Sequence, residues 1–382
     1  MLLKLFFWIN VIIIVYVYLG YFCILEILTF VFKKEIYSKF KAQKCPFISV
    51  IIAAYNEEKV IKKRIENLLQ QDYPKDKLEI IVASDGSTDR TVEIAKQFEK
   101  YGVKVLDFKE NRGRAAVHND AAKVTKGEIL IFTDAETEFE KDFVQKIVKM
   151  YSIPEFGVGA GELVFRSPKM FGETESIYWK VEKKLRYYEY LLGILPFASG
   201  ACFSIRKELY EQIPLHSDID NILPLSAIQK GYKVFYCKDA VAYEYTVSNA
   251  KQLFRKRYRT ALRSMTDILS EVPNLIKKKK VGVLFSLFSH RLLRWWSSLL
   301  LPVLFFLNFK LLNNGLLYKI IFLSQVIFYT LALLYPLQNS FNLPRVIIRI
   351  FNTAYSFVLA NIAFMFAIFS YILKIKITAY KT

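Results

Sequence analysis

Apolar residues are concentrated at the two ends of the 382-residue chain, and a charged, periodic region separates them. Residues 5–32 form an almost continuous apolar run that is broken only by Asn10 and Glu26. A membrane-spanning helix needs about 20 apolar residues, whereas a cleaved signal peptide has an apolar region of about 7–15 residues and a small-residue cleavage site. The pattern therefore predicts an uncleaved N-terminal membrane anchor.

A second apolar block begins near Val281 and continues almost to the C-terminus. Its first part, about residues 280–296, mixes cations with tryptophans and predicts an interfacial helix at a headgroup boundary. The first predicted span after it is short and contains Pro302, so it either stands alone or extends back into that helix. We predict spans at 297–309, 316–335 and 354–373, with a polar loop or surface helix at 336–349.

Lysines indicate how these segments are oriented. Residues 33–44 carry five lysines, against Lys4 alone before the anchor, and the positive-inside rule places such a flank in the cytoplasm. One anchor and three further spans would put the C-terminus outside, yet Lys374, Lys376 and Lys381 lie in that tail. The sequence thus places the central region in the cytoplasm and leaves the C-terminal topology open.

The central region has the alternation that is typical of an α/β domain. Short β-branched runs begin at residues 48, 78, 103 and 129, and helical patterns lie between them at about 60–69, 92–98 and 115–124. Strands that alternate with helices of this length predict βαβ units and a parallel sheet. We therefore divide the chain into an anchor with its basic flank (1–45), an α/β domain (46–271) and a membrane block (272–382).

Composition limits the function classes. With 53% hydrophobic residues and a net charge of +19, the chain is too apolar for a disordered protein, and its four scattered cysteines suggest neither a zinc module nor a disulfide framework. A strong positive charge also suits a nucleic-acid binder. Many of the cations, however, flank predicted membrane segments, where lipid headgroups can pair with them. We therefore expect membrane lipids and no nucleic acid as partners.

Polar and acidic side chains follow three of the predicted strands. They lie at residues 55–58, 84–89 and 134–138. In open α/β sheets ligands bind beyond the carboxyl ends of the strands, and carboxylates that meet there repel each other unless a cation separates them. Mg²⁺ commonly takes one or two carboxylates and completes its shell with phosphates and water. Each acidic group could instead be a solvated strand end or a helix cap.

The order of the motifs adds a family resemblance. AAYNEE, IIVASDGSTDRT, NRGRAAVHNDA, ILIFTDAE, and SGACFSIRKEL with DNILPLSAIQKGYKVFY follow one another along the chain. Over residues 48–263 they resemble the family 2 glycosyltransferases. The resemblance implies an α/β fold of the GT-A type, in which a Rossmann-like mixed sheet binds a nucleotide sugar, with transmembrane helices before and after it.

The resemblance also implies roles for individual residues at the donor site. Asp134 and Glu136 stand at the D-x-D position that holds Mg²⁺ or Mn²⁺ and the diphosphate, although the second acid is Glu here. Arg114 stands where the family usually has Lys. The positions that match the family's nucleotide-binding residues are Ala53, Tyr55, Glu57 and Asp85.

Further positions match the acceptor side. An inverting transfer needs a base near the acceptor hydroxyl, and the family's paired acids before xxLPL align with residues 219–220. Asp220 is thus the candidate base, with Asp218 as the alternative. Gly200 and Ala201 match the segment that lines the sugar pocket. Gln252 and Arg255 match a segment that covers the diphosphate, in which Lys256 replaces the family's Trp, and Arg259 is a further candidate for diphosphate contact. A shifted alignment would instead pair Arg255 with Tyr258, and the basic helix could also lie on the membrane surface.

We therefore expect a membrane-bound, metal-dependent inverting glycosyltransferase. By resemblance it takes a nucleotide sugar, commonly a UDP-sugar, and extends a polysaccharide or a lipid-linked glycan at the cytoplasmic face. Polar pairs are scarce in the predicted spans, so passage of a glycan would need a homo-oligomer or an export partner. The alternative is a catalytically inactive relative that binds the nucleotide sugar and regulates another synthase.

Overall fold

The computed structural model describes residues 1–32, 45–166, 170–245, 250–336 and 344–377, with side chains in 170–178 excluded. The basic flank predicted at 33–44, part of the loop predicted at 336–349, and Lys381 lie outside the described residues.

The N-terminal anchor is one long helix. It consists of α1 (Leu2–Val15) and α2 (Tyr21–Phe32), which a π-helical turn (Tyr16–Gly20) joins without a break. Most of its apolar side chains are exposed, and burial is confined to single positions such as Phe7 and Leu25. A helix that is apolar all round yet contacts the protein on one side has the surface of a membrane span.

The first half of the α/β domain matches the predicted alternation. Four parallel strands lie in the order β3-β2-β1-β4, and their apolar residues are buried on both faces. Connecting helices cover the sheet, as parallel pairing requires. The strands are β1 (Ile48–Ala54), β2 (Leu78–Asp85), β3 (Val103–Phe108) and β4 (Ile129–Asp134), and the helices are α3 (Ile61–Leu69), α4 (Thr91–Lys96) and α5 (Arg114–Lys123).

The second half makes the sheet mixed. Strand β7 inserts antiparallel between β4 and β6, and the eight-stranded sheet ends with β8 and β5. This half carries the loops that reach over the edge formed by β1, β2 and β4. Its elements are β5 (Glu138–Phe139), α6 (Phe143–Met150), β6 (Phe156–Arg166), α7 (Met170–Leu192), β7 (Cys202–Arg206), α8 (Ile219–Gln229) and β8 (Lys233–Tyr245).

The predicted boundary between residues 271 and 272 falls inside a helix. Helix α9 (Ala250–Lys277) runs through it without a break. One side of α9 is buried against the α/β domain through Leu262 and Met265, and the same helix packs along the C-terminal helix. The α/β domain and the membrane block therefore share α9, and the division at 271 stays a prediction.

In the C-terminal block the first span extends back into the preceding helix, which is one of the two arrangements predicted. The expected interfacial helix and first span form one apolar helix, built from α10 (Val281–Ser286), a π-helical stretch (Leu287–Leu292) and α11 (Leu293–Lys310). Helix α12 (Leu316–Leu334) follows as predicted. Helix α13 (Arg345–Ile372) begins nine residues before the predicted span, so Arg345 and Arg349 are helical. By length and composition, four helices of the described chain could cross a membrane.

A buried ionic cluster joins the α/β domain to these apolar helices. His290 is fully buried, with Nδ1 2.8 Å from Glu189 Oε1 and Nε2 3.1 Å from Glu182 Oε2, both on α7. Tyr21 of the N-terminal helix donates to Glu189 Oε1 at 2.7 Å, and Arg294 donates to Glu182 at 3.1 Å. His290 lies in the segment predicted as interfacial, and its ring bridges two buried carboxylates of the α/β domain.

Candidate active site

Strand register brings the predicted acids to one edge of the sheet. Ala53 of β1 lies beside Asp134 of β4, and the end of β2 places Asp85 on the other side of β1. Beyond β1, Asn56 adopts a left-handed conformation (φ 56°), and its side-chain oxygen accepts the Thr88 amide at 2.8 Å. The first two strand exits are therefore tied together, which fixes the turn that contains Tyr55 and Glu57.

Asp85 holds the loop that leads to Arg114. Its two carboxylate oxygens accept the backbone amides of Arg112 and Gly113, each at 2.9 Å. Gly86 has φ +71°, and a Cβ there would lie 2.7 Å from the Asn111 nitrogen, so only glycine fits beside this loop. Asp85 thus acts on the protein backbone, and its predicted contact with the nucleotide stays a prediction.

Arg114 is the first residue of α5 and forms an ion pair with Asp134. Both side chains are partly exposed, at 23% and 25%, so a ligand can reach them. Arg114 also lines a small cavity that contains Asp218 and Asp220. The guanidinium therefore stands between the D-x-E acids and the candidate bases, which the sequence separates by more than 80 residues.

Carboxylates crowd the D-x-E end of the site. Burial and the charges of Glu136 and Asp134 raise the pKa of Glu57 to about 7. Burial also raises the pKa of Glu244 to about 8, aided by Asp134, Glu136 and a hydrogen bond with Glu136, while Lys256 opposes the rise. Both carboxyls therefore bind protons more tightly than an ordinary glutamate does, first because they are buried and second because neighbouring carboxylates repel the ionised form.

Carboxylates that lie this close together suit a divalent cation. Asp134 and Glu136 offer oxygen ligands, which Mg²⁺ and Mn²⁺ prefer. Within the described ranges, no three His, Cys, Asp or Glu side chains are grouped so that they alone could hold an ion. The residues therefore fit a metal whose remaining ligands are water and substrate phosphates, as is usual for Mg²⁺.

Asp220 sits in the first turn of α8 against the predicted sugar-pocket segment. Its Oδ2 accepts the Gly200 amide at 3.1 Å, and a Cβ at Gly200 would lie only 3.5 Å from the Asp220 carboxyl carbon. The Ala201 carbonyl accepts the Thr133 hydroxyl at 2.9 Å, which ties this segment to β4. Burial and the neighbouring Asp218 raise the pKa of Asp220 to about 6, against the opposing charge of Arg114.

Asp218 has a different partner from that of Asp220. It occupies the N-cap position of α8, and its carboxylate forms an ion pair with Arg263 Nη1 at 3.3 Å. Because Asp218 already has a buried cation as its partner, Asp220 is the better placed of the two to accept a proton. The helix begins at Ile219, so Asp220 lies inside its first turn and does not cap it.

Helix α9 carries the segment predicted to cover the diphosphate. Gln252 and Arg255 are exposed, and Arg259 is partly buried. Lys256 instead lies 5.5 Å from the Phe165 ring centroid and close enough to Glu244 to influence its pKa. The structure thus brings Lys256, at the position of the family's Trp, to the D-x-E end. Roles for Gln252, Arg255 and Arg259 stay predictions.

Three residues of this region escaped the sequence analysis. Glu244 lies on β8, a strand whose role could not be recognised because its partner β6 was not predicted. His118 is buried, its Nε2 has no hydrogen-bond partner, and it lines the Asp220 cavity. Its spacing of four residues from Arg114 indicates that both lie on the same face of α5. Arg263 gave no signal, because nothing in the sequence shows what a basic residue on a long helix will contact.

Comparisons with known proteins agree with this geometry. Residues 49–214 match the family model described as glycosyl transferase family 2. These residues form a glycosyl transferase family 2 domain. The fold of this glycosyltransferase matches the mannosyltransferase PcManGT from Pyrobaculum calidifontis, solved in complex with GDP-Man and Mn²⁺, with a TM-score of 0.73 at 20% identity. That match covers 97% of this chain and 99% of the other, which extends it to the apolar helices.

Two relatives were similar in sequence. The glycosyltransferase is 27% identical over 263 residues to a probable glycosyltransferase, YdaM, of Bacillus subtilis, covering 64% of this chain and 62% of that protein. It is 25% identical over 285 residues to a poly-beta-1,6-N-acetyl-D-glucosamine synthase of Staphylococcus epidermidis, covering 72% of this chain and 68% of that protein. The alignments thus span about two thirds of these relatives.

Replacing Asp85 tests the link from the β2 exit to Arg114. In Asp85→Ala the amides of Arg112 and Gly113 lose a charged acceptor, and such hydrogen bonds contribute about 1.5–3 kcal/mol. We expect affinity for a nucleoside diphosphate, measured by titration calorimetry, to fall at least about tenfold. Asp107→Ala, which removes an exposed pair with Lys109, is the control. Unchanged affinity in folded Asp85→Ala would contradict this account.

Proposed function

We propose that this glycosyltransferase is a membrane-anchored, inverting enzyme that moves a sugar from a UDP-sugar to a growing polysaccharide or a lipid-linked glycan at the cytoplasmic face. One observation carries the proposal. Arg114 contacts Asp134 and lines the cavity of Asp220, so one cation lies between the D-x-E acids and the candidate base. A donor diphosphate at the D-x-E end would then place its sugar next to Asp220.

Asp220 is proposed as the base. Inversion requires the acceptor hydroxyl to attack the anomeric carbon from the side opposite the leaving diphosphate while a base takes its proton. The Gly200 amide holds the Asp220 carboxylate at the cavity wall. With a pKa raised to about 6, Asp220 is ionised at neutral pH and is more basic than an ordinary aspartate. Asp218, paired with Arg263, is the alternative.

Asp134 and Glu136 are proposed to hold Mg²⁺ or Mn²⁺. A bound divalent cation supplies charge stabilisation for the leaving diphosphate. Arg114 is placed to add a second positive charge to the same diphosphate, which requires it to leave or share its ion pair with Asp134. The mannosyltransferase from Pyrobaculum was solved with Mn²⁺, which supports a metal at this fold's site.

Donor and acceptor classes are proposed from the family and the relatives. The name of the Staphylococcus relative gives a polymer of N-acetylglucosamine as its product, and that of the Pyrobaculum structure gives GDP-Man as its ligand. The family resemblance favours a UDP-sugar as the donor, and GDP-mannose is the other donor to be tested. A glycan polymer would need a second copy of the chain or an export partner to cross the membrane.

The membrane assignment is supported by four long apolar helices. Residues 1–45 would form the anchor and its basic flank, 46–277 the catalytic domain including all of α9, and the remainder the membrane block. The lysine-rich flank supports a catalytic domain in the cytoplasm, with anionic lipid headgroups as partners.

Turnover tests the function. The full chain in nanodiscs, with Mg²⁺ or Mn²⁺ and a panel of UDP-sugars and GDP-mannose, should release nucleoside diphosphate and give a glycosylated product by mass spectrometry. We expect Asp220→Asn to lower kcat about 10²–10⁴-fold through loss of the base, and Asp134→Ala or EDTA to abolish the metal-dependent rate. Lys230→Gln, which removes an exposed pair with Glu211, is a control. Binding without release by wild-type protein would favour the inactive, regulatory alternative.

The rate should depend on pH through Asp220. Below pH 6 the carboxyl is protonated and cannot accept the hydroxyl proton, so kcat/KM should fall about tenfold per pH unit as the pH decreases. In Asp218→Asn the like charge that raises the pKa of Asp220 is gone, and the acidic limb should move to lower pH. A limb that stays in place in Asp218→Asn would argue against Asp220 as the titrating base.

Membrane attachment can be tested by extraction. Washing membranes with urea, high salt or EDTA should leave the protein in the pellet, since each buried CH₂ of an apolar span contributes about 0.8 kcal/mol, and detergent should release it. Recovery in the urea or EDTA supernatant would contradict the anchor.

A further inference from the structure

One side of α9 holds the loop that carries Asp218 and leads into α8, which carries Asp220. Arg263 Nε donates to the His216 carbonyl at 3.1 Å, and Nη2 donates to the carbonyls of Ser217 at 2.9 Å and Leu215 at 3.4 Å. Nη1 lies 3.3 Å from Asp218 Oδ1. A single guanidinium thus contacts four consecutive residues, 215–218, directly before the first turn of α8.

The same side of α9 adds two more contacts. Asp267, one helical turn after Arg263, accepts the Asp218 amide through Oδ2 at 3.1 Å. Ser264 accepts the Asn221 side-chain amide at 2.9 Å. Arg263 and Asp267 are 4% and 1% exposed, so these bonds are shielded from competing water and hold the loop firmly.

The geometry points to Arg263 as a positioning residue for the transfer reaction: by bonding to residues 215–218 it fixes α8 so that Asp220 faces the Gly200 segment, and it engages Asp218. This inference rests on the proposed function, in which Asp220 takes the acceptor proton. Arg263 does not line the Asp220 cavity, so it acts through the loop and not on substrate.

Planar, multidentate geometry explains why arginine is needed. Guanidinium donors in a fixed fork can reach three carbonyls and one carboxylate at once, whereas the Lys ammonium is a single point charge on a flexible stem. Loss of the fork would let residues 215–218 shift. A displacement of about 1 Å in a catalytic group can lower the rate on the order of 10²-fold.

Arg263 also compensates a charge near the base. The charged groups that act on Asp220 are Asp218 at the start of α8, Arg114 on α5 and Arg291 on the C-terminal block. Removing Arg263 would leave the Asp218 carboxylate without its buried partner, and the unbalanced negative charge would make Asp220 harder to ionise. A residue with only a structural role would have no such effect.

The test compares Arg263→Gln, Arg263→Lys and wild type in nanodiscs. For Arg263→Gln we expect kcat to fall about 10- to 100-fold while the donor KM changes less than about threefold, since Arg114 and Asp134 are untouched. The acidic limb of its kcat profile should move to higher pH. Arg263→Lys keeps a positive charge beside Asp218, so its limb should stay near the wild-type position although kcat still falls.

Arg206 provides a matched control. It also donates to three backbone carbonyls, those of Tyr151, Ile153 and Phe156, but at the opposite edge of the sheet, where it pairs with Ile129. Arg206→Gln should lower the melting temperature without moving the pH limb or reducing kcat in the protein that stays folded.

Several outcomes would overturn the inference. Folded Arg263→Gln with kcat within threefold of wild type would do so, as would an equal loss of kcat in Arg206→Gln. Failure of both Arg263 variants to give monodisperse protein would assign the residue to folding alone. Absence of nucleoside diphosphate release by wild-type protein would instead refute the proposed function, and the inference with it.

Discussion

Repulsion among carboxylates at the carboxyl edge of the sheet is the constraint on which the site depends. Glu57 and Glu244 interact there with Asp134 and Glu136, and burial together with these like charges raises the pKa values of Glu57 and Glu244. Arg114 offsets part of this repulsion through Asp134. The repulsion that remains between the carboxylates is what suits this edge to a divalent cation. The same arginine also lines the Asp220 cavity and so connects it to the acids.

Two long helices connect the active site to the apolar helices. Helix α9 contacts the base-bearing loop on one side and α13 on another, where Tyr258 bonds to Ser370 at 2.8 Å. Helix α7 contributes two buried glutamates that enclose His290 of the C-terminal block. The apolar helices are therefore held to the α/β domain by buried polar contacts, which are directional and fix one relative placement.

Local patterns were sufficient where local physics decides the structure. The first four strands and their helices were predictable because each strand is an apolar run and each helix has its own periodicity, and the acids at the strand exits followed from parallel topology. The second half of the sheet was not predictable in this way. Strand β7 pairs antiparallel with both β4 and β6, and this pairing depends on contacts with strands that are distant along the chain. The course of α9 through residue 271 was not predictable for a related reason, because a continuous helix can pack against two units.

By itself, the sequence determined the fold class, the four apolar helices, the candidate donor-site residues and the pair Asp218 and Asp220, since these follow from periodicity, hydrophobic length and motif order. Tertiary structure decided how the two aspartates differ: Arg263 pairs with Asp218, while the Gly200 amide and Arg114 face Asp220. It also decided that His290 is buried between glutamates and that Lys256 reaches the D-x-E end. The physical reason is common to all three, because a side chain's charge state and partners depend on groups that are close in space and distant along the chain.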